Sequence, residues 1–137
     1  MKVSGNCLCE AVQLSAEGDP LFVGNCYCTA CQRGSGKGHS TVVALPDAGV
    51  TVSGALSTYV VKGDSGQDVT RAFCPTCGAG IYTQAAAMPG VTMLAAGILN
   101  EAASVVPGLS IYAASAAPWD QPPAHIPSFP GMPRGPQ

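Results

Sequence analysis

Cys26-Tyr27-Cys28-Thr29-Ala30-Cys31 places three thiols within six residues. A segment this short can wrap three sulfurs around one ion. Zinc takes thiolates at about 2.3 Å, in tetrahedral geometry and usually with four ligands. Three thiols cover one face of that tetrahedron and leave a position open, the feature that separates catalytic from structural zinc. The other four cysteines form two close pairs, Cys7/Cys9 and Cys74/Cys77. Two pairs supply four ligands and fill a closed site. The cysteines therefore predict two Zn²⁺ ions: a structural one on Cys7, Cys9, Cys74 and Cys77, and an open one on Cys26, Cys28 and Cys31. The outer pairs stand far apart in the chain, so a shared ion would tie the two ends of the intervening segment together.

Seven cysteines are an odd number, awkward for a disulfide framework. The N-terminal residues Met1 to Asn6 hold no apolar run, and the rest of the chain has no stretch of about 18 apolar residues. The expectation is a cytoplasmic protein without a membrane span, in a compartment where thiols stay reduced. A redox pair at Cys28/Cys31 would want a βαβ surround that the sequence lacks.

With 137 residues and 47% apolar content, the chain has the makings of one small globular domain. Seventeen Gly and twelve Pro favour turns over long helices. Charged residues are only 10%, so the surface is poor in charge and a homodimer is expected. The six basic residues are Lys2, Arg33, Lys37, Lys62, Arg71 and Arg134, and only Arg33 and Lys37 lie close together. That scatter and a net charge of −2 exclude a nucleic-acid binder, which needs clustered cations.

Short alternating or β-branched runs predict strands at 11–15, 21–24, 41–45, 50–52, 57–61, 69–73, 81–83, 92–96 and 110–112. A hairpin tip is expected at Lys62–Gly66 and a helical turn at Ala102–Val105. Cys74-Pro75-Thr76-Cys77-Gly78 reads as a metal knuckle, whose turn aims both sulfurs one way while Gly78 accepts an unusual φ. Gln32 to His39 contains three glycines and reads as a loop over the open metal position. The domain is expected over 1–117. A Pro-rich tail occupies 118–137, where Trp119, Ile126 and Phe129 are candidate anchors. The fold class is mainly β, with metal sites at the loops.

The set Gly5-Asn6-Cys7-Leu8-Cys9, Cys26-Tyr27-Cys28-Thr29-Ala30-Cys31-Gln32-Arg33 with Gly36, Phe73-Cys74-Pro75-Thr76-Cys77-Gly78, Gly97-Ile98-Leu99 and Ala117-Pro118-Trp119 resembles the GFA family, the glutathione-dependent formaldehyde-activating enzymes. The resemblance runs over residues 3–130. It implies an Mss4-like fold of short antiparallel strands. It also implies structural zinc on the outer pairs, a second zinc on the triplet, and glutathione bound nearby. The implied activity is that of a carbon–sulfur lyase joining formaldehyde to glutathione as S-hydroxymethylglutathione. Three positions depart from the family pattern. Tyr27 stands where His is usual, Glu10 where Gly is common, and Lys37-Gly38-His39 where an aromatic residue is common.

Three thiolates weaken zinc as a Lewis acid, so a substrate thiolate is a better fourth ligand than water, and carbon–sulfur chemistry fits better than hydrolysis. His39 and Tyr27 are the nearest candidates to protonate the alkoxide that forms, and Arg33 and Lys37 to pair with substrate carboxylates. The competing expectation is a zinc-stabilised binding module without chemistry, which the same fold supports.

Overall fold

The computed structural model describes residues 1–133; the last four positions of the Pro-rich tail lie outside the described residues. The chain divides into two compact units, Met1–Leu21 with Val43–Val105, and Phe22–Val42 with the segment from Val106 onward.

In the first unit, β1 (Lys2–Asn6) and β2 (Gln13–Glu17) pair antiparallel, with Val3 opposite Ala16 and Gly5 opposite Leu14. Period-two alternation sends Val3, Gly5, Leu14 and Ala16 inward. Gly5 is required there. A Cβ would strike the Ile98 carbonyl oxygen, and Gly5 bridges Leu99 directly. The chain then makes β3 (Phe22–Cys26) in the second unit and β4 (Ser40–Pro46), whose Val43, Ala44 and Leu45 are fully buried. A turn at Asp47–Gly49 leads to β5 (Val50–Ser53), which completes a three-stranded sheet against β2.

Next come β6 (Ser57–Lys62), β7 (Asp68–Phe73), β8 (Gly80–Ala85) and β9 (Val91–Ala95), an antiparallel meander in the order β9-β8-β7-β6. The predicted tip at 62–66 closes the β6/β7 hairpin, where Lys62 meets Asp68 at 2.5 Å. The β7/β8 register shifts between Ala72 and Phe73, immediately before Cys74. Such an irregularity bends a strand and re-aims the residues beyond it, here the cysteine knuckle. The helical turn expected near Ala102 is a 3-10 turn at Ala102–Ser104.

In the second unit, β3 pairs in parallel with β10 (Leu109–Ile111), setting Ile111 beside Cys26. Thr41 Oγ1 donates to the buried Asn25 Oδ1 at 2.7 Å, which satisfies that amide oxygen. The tail segment 127–129 runs beside β10, with Ser110 N–H donating to Pro127 O and Phe129 N–H to Ser110 O, both at 2.9 Å.

The stretch after the triplet corrects the loop expectation. Thr29–Ser35 is a helix, α1. Cys28 is its N-cap, with Sγ accepting the Cys31 N–H at 3.2 Å, and Gly36 caps the other end at φ 71. Ser35 Oγ donates to Cys31 O at 2.7 Å. Of the three glycines only Gly34 lies within α1, at a cost of about 1 kcal/mol relative to Ala. Gly36 terminates the helix instead of preventing it.

Candidate metal centres and the residues around them

The outer cysteines meet within the first unit. Cys7 and Cys9 leave β1 through a tight turn in which Glu10 N–H donates to Cys7 O at 3.1 Å and Cys7 N–H to Val12 O at 3.0 Å. Glu10 adopts φ 67, the left-handed region that suits glycine. Across the site, Gly78 N–H donates to Cys74 O and Cys74 N–H to Ala79 O, both at 2.9 Å, and Gly78 takes φ 78 as the knuckle motif requires.

The four sulfurs lie within 4.8 Å of one another, and Cys7–Cys9 and Cys9–Cys74 are each 3.7 Å apart. A tetrahedron with metal–sulfur bonds of about 2.3 Å has edges of about 3.8 Å, so the spacing fits one ion. It is far too long for a disulfide, which needs about 2.05 Å.

Backbone amides point at these sulfurs. Val12 N–H donates to Cys7 Sγ at 3.2 Å. The Ala79 N–H, with that of Cys9, holds the Cys77 thiol down to about 6. The Cys77 N–H, with that of Thr76, holds Cys74 below its usual range. At Cys9 the Ala11 N–H favours the thiolate. Desolvation and the Cys7, Cys74 and Cys77 sulfurs outweigh it and push Cys9 up to about 11. Amides built to stabilise thiolates, around sulfurs that repel one another as thiolates, describe a nest that a cation completes.

The triplet meets within the second unit. Cys26 ends β3, Cys28 caps α1 and Cys31 sits in its first turn, again with all three sulfurs within 4.8 Å. The neighbouring Cys28 and Cys31 sulfurs, with burial, drive the Cys26 thiol far above its ordinary range. At Cys28 the Cys26 sulfur lowers and the Cys31 sulfur and burial raise, for a net upward shift. A cation between them removes this conflict. Among the described residues, no fourth Cys, His, Asp or Glu donor joins the group. Each cluster could hold a metal ion, one with four donors and one with three.

Tyr27 lies between two of these cysteines, yet its side chain is buried at 1% exposure. Its N–H donates to Ile111 O at 3.0 Å, and its ring sits 4.9 Å from the His39 imidazole, tilted by 31°. Burial, then the Asp120 charge, raises the phenol above its usual range. His39 is partly buried, and its Nδ1–H donates to Asp120 Oδ2 at 2.6 Å. Gly38 permits that pair, because a Cβ there would strike the Asp120 carboxyl. Asp120 escaped the sequence reading. It lies 81 positions from His39, and its one sequence signal is its place after Ala117-Pro118-Trp119.

Arg33 and Lys37 are exposed and share a cavity of about 360 Å³ with Thr29, Gln32, Gly36 and Trp119. Trp119 is 75% exposed, which corrects its expected role as a tail anchor; Ile126 and Phe129 are half-buried. The Trp119 ring belongs to the rim of this cavity, and backbone hydrogen bonds to β10 hold the tail.

Together these observations define a mainly β protein with two cysteine clusters at its loops, each of which could hold a metal ion. The sequence model of the GFA family, described as glutathione-dependent formaldehyde-activating enzyme, matches residues 2–115, and the chain belongs to that family. Among solved structures, a Rhodobacter sphaeroides protein determined as a structural genomics target is similar in fold. It has a TM-score of 0.58 and 24% identity, covering 71% of this chain and 87% of that one. No curated protein matches the chain. No helix among the described residues is long and apolar enough to cross a membrane.

Proposed function

We propose that this protein is a zinc-dependent carbon–sulfur lyase-like enzyme that joins small aldehydes such as formaldehyde to a thiol, glutathione, and releases them again. The observation that carries the reading is the contrast between the clusters: four sulfurs at tetrahedral spacing in one, three in the other with no fourth donor among the described residues. All-sulfur donor sets of this size suit zinc, and membership of the GFA family supports the choice.

Zinc on Cys26, Cys28 and Cys31 would supply a coordination position that favours a substrate thiolate over water. The chain's own residues account for the rest. As the substrate sulfur adds to the aldehyde carbon, the C–S bond forms and the carbonyl π pair moves to oxygen. That oxygen takes a proton, so the thiol proton ends on the hydroxyl and no oxidant is needed. His39 is the proton carrier in this reading. A carboxylate only accepts hydrogen bonds, so Asp120 fixes the proton on Nδ1 and leaves Nε2 for exchange with substrate. Buried Tyr27 backs the imidazole, and Arg33 and Lys37 pair with substrate carboxylates. Turnover in either direction moves only one proton and one C–S bond.

The test is two-dimensional exchange NMR on ¹³C-formaldehyde and glutathione. Exchange into the hydroxymethyl adduct that is faster than the uncatalysed rate, and lost in Cys28→Ser, is the expected result. Protein carrying two zinc ions per chain that leaves the exchange rate unchanged would instead be the binding module.

A further inference from the structure

We propose that the open edge of β6 pairs antiparallel with the β6 edge of a second copy of this chain, across a two-fold axis at Val60, to form a reversible dimer. The inference is independent of the chemistry at the triplet.

The chain covers its other long strand edges itself. The outer side of β1 is taken by the segment after Ile98: Gly5 bridges Leu99, Asn100 N–H donates to Ser4 O at 2.8 Å, and Ser4 N–H donates to Glu101 Oε2 at 3.0 Å. The outer side of β10 is taken by the tail at 127–129. β5 has an open side but only four residues. β6 has six, and among the described residues no strand pairs with its outer side. Such an edge is a template for another chain unless it is short, bulged, or guarded by Pro or charge. β6 holds no Pro, and its pairing with β7 is regular from Ser57 to Lys62. Its one charge, Lys62, stands at the strand end and is engaged by Asp68.

The backbone of β6 is set for a partner. Gly63 N–H donates to Gln67 O at 2.9 Å, and on the far side of β7 Ala86 N–H donates to Asp68 O at 2.8 Å. Antiparallel ladders alternate residue by residue. Tyr59 and Val61 therefore use their backbone groups on β7, while Thr58, Val60 and Lys62 turn theirs outward. Donors and acceptors at every second position are what an antiparallel strand requires.

The side chains select a second copy as that strand. Tyr59 and Val60 are 66% and 50% exposed, and successive strand residues point to opposite faces, so apolar surface lies on both sides of the edge. A two-fold axis normal to the sheet sets one residue against its own copy. With outward-turned Val60 at the axis, Val60 meets Val60 of the second copy, Tyr59 meets Val61, and Thr58 meets Lys62, each of the last two pairs occurring twice. Pairs of an aromatic with a β-branched residue are among the favourable cross-strand contacts. At about 3.4 Å per residue the two Lys62 positions stand about 14 Å apart along the strands, beyond a Debye length at physiological salt. The net charge of −2 opposes association only weakly. A six-residue edge is smaller than the about 800 Å² per partner of a standard interface, so the dimer is expected to dissociate on dilution.

The test is sedimentation equilibrium of the full chain from about 1 μM to about 1 mM, with a thiol reductant present to prevent cross-links through exposed Cys9. The expected result is an average mass that rises toward twice that of one chain. Val60→Lys and Val60→Glu each set like charges against one another at the axis, and each should weaken the dimer tenfold or more with circular dichroism unchanged. An equimolar mixture of the two sets opposite charges together and should restore the dimer. Thr51→Lys, on exposed β5, should leave it unaltered. Hydrogen exchange on the unmodified chain supplies a second measurement: the Thr58 and Val60 amides should slow at high concentration. A dimer indifferent to both Val60 substitutions, folded variants that fail to pair when mixed, or exchange at those amides that is independent of concentration overturns the inference. So does a chain that is monomeric throughout, which would leave the edge to a strand from a different protein.

Discussion

His39 Nδ1 and Asp120 Oδ2 lie 2.6 Å apart although 81 positions separate them, so a residue from the Pro-rich tail fixes the tautomer of a histidine that stacks on Tyr27. A short hydrogen bond to a carboxylate orients the ring and keeps its other nitrogen available. If that nitrogen moves the proton, His39→Ala lowers the formaldehyde–glutathione exchange rate by about 100-fold, the low end for general acid–base catalysis. Asp120→Asn lowers it by about tenfold, since the ring remains but its tautomer is no longer dictated. Both variants should retain two zinc ions per chain by elemental analysis. Loss of metal in either would assign the pair to site assembly.

Gly38→Ala tests the same pair from the other side. The new Cβ would strike Asp120 Cβ, which side-chain rotation cannot move, so the Asp120 backbone must shift as well as its carboxyl. The expected outcome is an exchange rate no higher than that of Asp120→Asn, with a lowered melting temperature. A double variant with Asp120→Asn should be no slower than the slower single change, because both break one contact.

Glu10 holds a left-handed backbone conformation at φ 67 and is exposed. For a residue with a Cβ this region costs about 1–2 kcal/mol, partly offset in a glycine variant by the greater freedom of its unfolded chain. Glu10→Gly should therefore stabilise the protein by about 1 kcal/mol, read as a rise in the urea midpoint at constant slope.

Metal removal should proceed in two stages. Three sulfurs bind an ion less tightly than four, and protons compete with the metal for every thiolate. A graded chelator series, or falling pH, should first release one ion per chain with the far-UV circular dichroism intact. Release of the second ion should coincide with unfolding, because the cluster joins Cys7 and Cys9 to Cys74 and Cys77, with 65 positions between Cys9 and Cys74. Simultaneous loss of both ions, or loss of the second without unfolding, would contradict this.

The strands were legible because their cue is local: β-branched and alternating runs such as Ser57–Val61 and Val69–Phe73 appear as β6 and β7. The cysteine grouping was legible because spacing alone limits which sulfurs can meet. The number of glycines after the triplet hides α1, and only their positions reveal it. Gly36 sits at the left-handed cap and Gly38 beyond it, where they cost the helix nothing. The size of Trp119 suggests burial, whereas its exposure is decided by what surrounds it. Asp120 carries only the weak signal of its place after Ala117-Pro118-Trp119, since nothing local ties a tail carboxylate to His39.

The two thiol nests also differ in when they can exist. The triplet is complete once residue 31 has left the ribosome, whereas the four-sulfur nest must wait for Cys77 and then close a gap of 65 positions between Cys9 and Cys74. During synthesis the three-sulfur cluster would therefore be the first that could meet a metal ion.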